Sequence, residues 1–253
     1  MTDVDPPSGP EAGDSSGGLA SALNSTPKVI GAITSLIIAV SGLLIALNKT
    51  GILGGGGSSG AVTTIAGRTL ERGESVEDVD GIDLFKAEKS PHGRVYFKGK
   101  TMYVDVDKPN APMVLRADQS EPLQHVSMST RAHWISGAAD YGFALFCRYT
   151  NPKNYYFIGV LSGGRYSIGR YRNGKLTFLK RGFKSPYIEE RDNDVKVSCV
   201  GTNPTTLSLD VNGKPIAQVT DPTGLPAGNV GLRVGTGRSY VTTSFEDFVL
   251  EHL

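Results

Sequence analysis

The sequence is poor in cysteine, tryptophan and methionine, with two, one and four residues respectively. Two cysteines cannot make the dense disulfide framework of a small secreted scaffold, so a hydrophobic core has to carry the fold. Net charge is also missing: 26 basic against 25 acidic side chains leave +1. The basic residues read as scattered along the chain, and no nucleic acid is expected as a partner. Zinc-ligand spacing is lacking among His92, His125, His133 and His252, so no metal site is expected. A Gly-x-Ser-x-Gly nucleophile elbow and a phosphate-binding glycine loop are absent too, and the sequence calls for no cofactor. Helix-length apolar periodicity does not occur beyond the glycine run at Gly54–Gly57, which makes a helix-rich soluble fold an unsuitable reading.

What is present divides the chain into four parts. Residues 1–27 combine Asp3, Asp5, Glu11 and Asp14 with Gly, Ser, Pro and Ala and hold no Lys or Arg. Such a tail cannot bury enough apolar area to offset its ordering entropy, so it is expected to be disordered. Residues 28–48 contain a charge-free run, Val29–Leu47, of nineteen residues. As a helix it spans about 29 Å, close to the hydrocarbon core of a bilayer. Ser25 or Thr26 suits its N-cap, Pro27 its first position and Gly51 its exit. A cleaved signal peptide has a basic start and a shorter apolar run, so an uncleaved transmembrane anchor fits better. Lys28 and Lys49 balance across it and leave the orientation undecided by charge. Gly31, Ser35, Ala39, Gly42 and Ala46 recur at spacings of three and four, a small-residue face on which a second membrane helix could pack. Residues 49–62 form a Gly/Ser-rich flexible linker.

From residue 63 to 253 the pattern is that of short strands. β-Branched and aromatic runs such as Thr101–Val106, Tyr141–Tyr149, Asn154–Leu161, Val195–Val200 and Leu207–Val211 alternate with Gly, Asn, Asp and Pro. About a dozen such runs at regular spacing predict an all-β antiparallel sandwich or barrel. Asn173-Gly174 and Asn212-Gly213 sit between runs and accept the positive φ angles of two-residue hairpin turns.

These residues carry a resemblance. Gly142–Tyr149, Asn154–Phe157, Gly164–Tyr166, Val195–Gly201, Leu207–Gly213, Gly228–Leu232 and Phe245–Phe248, taken in order, resemble the concanavalin A-like lectin/glucanase superfamily. The likeness is nearest to the bacterial laminin-G-like jelly rolls and to the 3-keto-disaccharide hydrolase, or DUF1080, domain. It implies an antiparallel jelly-roll β-sandwich behind the anchor. It also bears on Cys147 and Cys199. Each lies on the apolar phase of its run, with Phe143 and Leu145 in one case and Val195 and Val197 in the other, so both should face the core. Two buried free thiols would satisfy that pattern in a reducing compartment. In the resembling domains the two positions often pair, which implies a Cys147–Cys199 bridge. A bridge places the domain in an oxidising compartment, giving a single-pass protein of the cell membrane with a cytoplasmic N-terminus and an extracytoplasmic domain.

A superfold of this kind hosts lectins, glycosidases and adhesion modules alike. Glycosidases need two carboxylates across the scissile bond, and no acidic-x-acidic strand of the glucanase type occurs. Glu189-Glu190 and Asp192-Asn193-Asp194 read as a solvated loop. No catalytic residue is named. Glycan binding would use exposed aromatic faces with polar neighbours, and the candidates are Trp134, Arg148, Asn154, Tyr156, Tyr166 and Tyr171. Adjacent Tyr155 and Tyr156 must face opposite ways, so only one of them serves a given surface. The expected function is a membrane-anchored, non-catalytic lectin-like module of a bacterial envelope, binding glycan or an envelope protein. The alternatives are a tethered glycoside hydrolase of the DUF1080 type and an accessory subunit of a larger membrane complex.

Overall fold

A computed structural model describes residues 84–253 in full and, ahead of them, the backbone of three short strands. The chain divides between Ser58 and Ser59, and every described residue belongs to the second unit. The anchor Val29–Leu47, the small-residue face from Gly31 to Ala46, the acidic tail and the linker lie outside the described residues. Among the described residues no helix is long and apolar enough to cross a membrane.

The early strands are β1 (Thr63–Ile65), β2 (Arg68–Leu70), β3 (Ser75–Val79), β4 (Glu88–Ser90), β5 (Gly93–Lys98), β6 (Thr101–Val106) and β7 (Met113–Arg116). The long strands of the sandwich follow: β8 (Val126–Gly137), β9 (Tyr141–Asn151), β10 (Asn154–Leu161), β11 (Arg165–Arg172) and β12 (Lys175–Gly182). The last are β13 (Asp192–Val200), β14 (Thr205–Val211), β15 (Lys214–Asp221), β16 (Asn229–Thr236) and β17 (Val241–His252). Strands β1 and β2 pair with each other. The remainder form two antiparallel sheets. One has six strands in the order β12-β11-β10-β9-β16-β7; the other has nine, ordered β15-β14-β13-β8-β17-β6-β5-β4 with β3 also on β17. The chain crosses repeatedly between the sheets, giving the jelly-roll sandwich expected from the sequence.

Local chemistry explains the strands. In β14 the sequence Thr-Thr-Leu-Ser-Leu-Asp-Val alternates buried and half-buried positions without a break, the period-2 pattern of a strand with one face in a core. Asn173 and Gly174 have φ of 51° and 79°, and Asn212 and Gly213 have 52° and 71°, so both dipeptides turn as expected. Leu145, Ile158 and Leu232 from one sheet meet Leu207, Leu209 and Phe245 from the other with no exposed surface. Each such burial stabilises by roughly 2 kcal/mol relative to an exposed side chain. Cys147 on β9 and Cys199 on β13 form a disulfide across the sandwich, the pairing that the resemblance implied.

One reading requires correction. Asp192-Asn193-Asp194 is not a loop: it opens β13, with Asp192 opposite His133 and Asp194 opposite Arg131. Both carboxylates face solvent and contact those two side chains, so an acidic exposed face mimicked a turn.

Candidate functional site

The six-stranded sheet is apolar on both faces. Its inner face feeds the main core. Its outer face carries a second cluster built from Ala144, Phe146, Tyr149, Tyr155 and Phe157, with Tyr171 against it. Strand β10 shows the cause: Tyr155 through Val160 are all buried, because Tyr156 and Ile158 fill the sandwich while Tyr155 and Phe157 fill the outer pad.

The pad is held by ring contacts. Tyr155 stacks on Tyr171 with centroids 4.9 Å apart and an interplanar angle of 23°. Phe157 meets Phe178 edge-on at 5.9 Å and 88°. Phe146 and Tyr149 complete the row at 5.3 Å. Two of these rings lie over glycines of neighbouring strands: a Cβ on Gly169 would meet Phe157 Cζ at 2.4 Å, and one on Gly231 would meet Phe146 Cζ at 2.3 Å. The missing side chains let the rings settle flat on the sheet.

Arginines cover the pad. The Arg233 guanidinium stands 5.9 Å from the ring centres of both Phe157 and Tyr171, and its Nη1 donates to Tyr155 Oη at 3.5 Å. Arg116 lies over Tyr149 at 5.9 Å and Arg181 over Phe178 at 4.2 Å. Burial pushes the Tyr155 and Tyr149 hydroxyls above the usual phenol range. A groove of about 480 Å³ runs along this face, lined by Phe157, Tyr171, Leu176, Phe178, Arg165, Ser167 and Arg233. Phe178 is 41% exposed and Leu176 40%, so these two offer the most open apolar surface. Among the described residues Asp140 is the sole carboxylate in the lining; it accepts a hydrogen bond from Thr236 and pairs with Arg238 at 3.4 Å.

Of the six residues expected at a ligand, the structure brings one, Tyr171, to this face. Tyr156 is wholly buried on the opposite side of β10 and donates its hydroxyl proton to Asp221 at 2.7 Å. Arg148 has no exposed surface. Its φ of 54° breaks the alternation of β9 and turns the side chain inward directly after Cys147. There Arg148 donates to Thr205 Oγ1 at 2.6 Å, Leu225 O at 2.8 Å and Gln124 O at 2.9 Å, and also to Gly201 O. Its role is to tie loops at the end of the sandwich. Asn154 accepts from the Asn173 amide at 2.9 Å and donates to Asn151 at 3.1 Å, clasping two hairpin turns. Trp134 and Tyr166 are half-buried against the main core; Trp134 stacks on Tyr141 at 5.6 Å. The residues missed were Phe146, Tyr149, Phe157, Phe178, Arg116, Arg165, Arg181 and Arg233; of the pair Tyr155 and Tyr156, it is Tyr155 that takes the outer face. An available signal was the pairing of aromatics with cross-strand glycines, Phe146 with Gly231 and Phe157 with Gly169.

Among the described residues no group of three or more His, Cys, Asp or Glu is placed to hold a metal ion. No family model matches the chain, and no curated protein matches it in sequence. Solved structures do match in shape. A functionally unknown protein from Saccharomyces cerevisiae superimposes with a TM-score of 0.50 at 14% identity, over 68% of this chain and 98% of its own. A prokaryotic β-1,3-1,4-glucanase (lichenase) derived from a mouse hindgut metagenome gives 0.48 at 8%, over 76% and 98%. The carbohydrate-binding module CBM66 from Bacillus subtilis gives 0.46 at 13%, over 70% and 94%. The likeness is one of fold.

Proposed function

We propose that the chain is a membrane-anchored, non-catalytic lectin-like module that binds glycan in the groove of the six-stranded sheet. The observation that carries this reading is the arginine-covered aromatic pad on an outer sheet face. Buried aromatics normally serve a core; here a second apolar layer is built outside the sandwich, ending in Tyr171 and the exposed ring of Phe178. A sugar ring stacks its C–H face on such rings while its hydroxyls take hydrogen bonds from flanking donors, which Arg165, Arg233 and Ser167 supply. Hydrolysis of a glycosidic bond needs two carboxylates about the scissile atom; among the described residues the lining has Asp140 alone, already engaged by Thr236 and Arg238. This favours binding over turnover.

The anchor is read from Val29–Leu47, and the extracytoplasmic side from the disulfide, because such bonds persist in oxidising compartments. The full chain in detergent micelles is expected to retain a subset of an immobilised glycan panel. Tyr171→Ala and Phe178→Ala should each weaken that binding about five- to tenfold, the loss of one stacking contact. Trp134→Phe, off the groove, should leave it unchanged. Binding that ignored both groove substitutions would refute the site.

A further inference from the structure

We propose that the groove is selective for anionic saccharides, whose rings carry a carboxylate or a sulfate, an inference that rests on the glycan reading above. Its basis is the distribution of charge between the two sheets. The six strands β7, β9, β10, β11, β12 and β16 hold nine Lys or Arg residues and no Asp or Glu. The acid-free stretch is continuous from Tyr141 to Ile188. Because the chain as a whole is near neutral, this sheet faces its ligand with a local excess of positive charge that the global balance conceals.

Several of those cations serve the fold. Arg148 is buried on loop oxygens, Arg170 pairs with Asp221, Arg172 donates to Thr223 and Gly224, and Lys180 reaches Gln218 on the other sheet. Four arginines remain on or around the outer face: Arg116, Arg165, Arg181 and Arg233. Among the described residues no carboxylate lies within ion-pair range of any of them. Arg165 is steadied by its own hairpin, donating to Ser162 O at 2.9 Å. Arg233 is set between Phe157 and Tyr171. A guanidinium supported by ring faces keeps in-plane N–H groups for a planar or tetrahedral oxyanion, and a carboxylate or sulfate takes two of them at once. A neutral sugar would leave that charge without a partner in the bound state.

Single-stranded nucleic acid shares the anion and the aromatic requirement, but it needs open ring faces for successive bases. Here Phe146, Tyr149, Tyr155 and Phe157 are each at most 8% exposed. The rings form a floor under arginines more than a ladder for bases, which favours the saccharide.

The test uses the full chain in detergent micelles with five probes: polygalacturonate, dextran sulfate, neutral β-glucan, mannan and poly(dT), measured at low and high salt. The expected result is binding to polygalacturonate or dextran sulfate at least about tenfold tighter than to either neutral polymer, weakening as salt rises. The two anionic arms separate carboxylate from sulfate preference. Arg233→Gln with Arg165→Gln should remove most of that preference in a protein that still unfolds cooperatively, and Arg233→Lys should restore part of it. Equal binding of neutral and anionic polymers would overturn the selectivity and leave the glycan reading standing. Poly(dT) binding as tight as polygalacturonate, lost in the same variants, would show a general polyanion surface and overturn the proposal. Failure of every saccharide to bind would remove the glycan reading and this inference with it.

Discussion

At the scale of single residues the most consequential group is Asp221, a carboxylate with 1% of its surface exposed at the end of β15. Burial alone would raise its pKa. Hydrogen bonds from the Tyr156 hydroxyl, the Thr223 amide, Arg170 and the Thr223 hydroxyl more than reverse that and bring it down to about 2. Burial, with the hydrogen bond to Asp221 and its charge adding to it, pushes the Tyr156 hydroxyl up to about 12. A carboxylate held below its unfolded value contributes stability above that value, near 4, and the contribution is lost as pH falls toward 2. The linkage amounts to about 2 kcal/mol. Urea unfolding followed from pH 6 to pH 2 should therefore show a fall in midpoint that Asp221→Asn largely abolishes. At neutral pH the same variant should be less stable by about 3 kcal/mol, since Arg170 is left half-buried without its counter-charge. An identical acid limb in both proteins would assign the pH dependence elsewhere.

At the scale of elements, strands were legible where one face was apolar and the other polar, as in β6 and β14. Hairpins were legible where Asn-Gly supplied positive φ. The candidate site was not, for two physical reasons. Along β10 the positions from Tyr155 to Val160 are apolar or glycine on both faces, so a period of two shows that Tyr155 and Tyr156 diverge without telling which one faces the sandwich. In β9 the left-handed backbone at Arg148 shifts the phase by one residue, sending Arg148 inward and Tyr149 outward, and a strict alternation cannot anticipate that. The pad itself depends on the glycines beneath it. Gly169→Ala would set a Cβ 2.4 Å from Phe157 Cζ and 3.0 Å from Thr177 O, so the ring must lift and the contact with Phe178 must open. The expected outcome is a loss of about 1–3 kcal/mol from overpacking, with weaker glycan retention from the disturbed groove wall. A variant that matched the parent in both melting and retention would show that the ring is free to move aside.

At the scale of the whole molecule the two sheets differ in charge and are joined by one covalent link. Asp and Glu of the described strands all fall in the nine-stranded sheet, so the cationic groove and the acidic face lie on opposite sides of a common core. Cys147 and Cys199 connect them across 52 residues of sequence, and each is at most 2% exposed. The enclosed segment contains β10, β11 and β12, three of the strands that make the groove. Closing a loop of that length restricts the unfolded chain by an amount worth about 4 kcal/mol in the chain-entropy model. The folded contacts are nearly unaffected, because Leu145 and Val197 of the same two strands already belong to the common core. The double variant Cys147→Ala/Cys199→Ala should therefore fold with its groove intact and match the parent on the proposed glycan panel at low denaturant. Its urea midpoint should fall by the equivalent of several kcal/mol. Native protein treated with reductant should be slow to follow, since both sulfurs are buried and must be exposed by opening before exchange. Once unfolded and reduced, it should refold to the stability of the double variant. If parent and double variant unfolded at the same denaturant concentration, the bridge would contribute nothing to holding the groove strands against the second sheet.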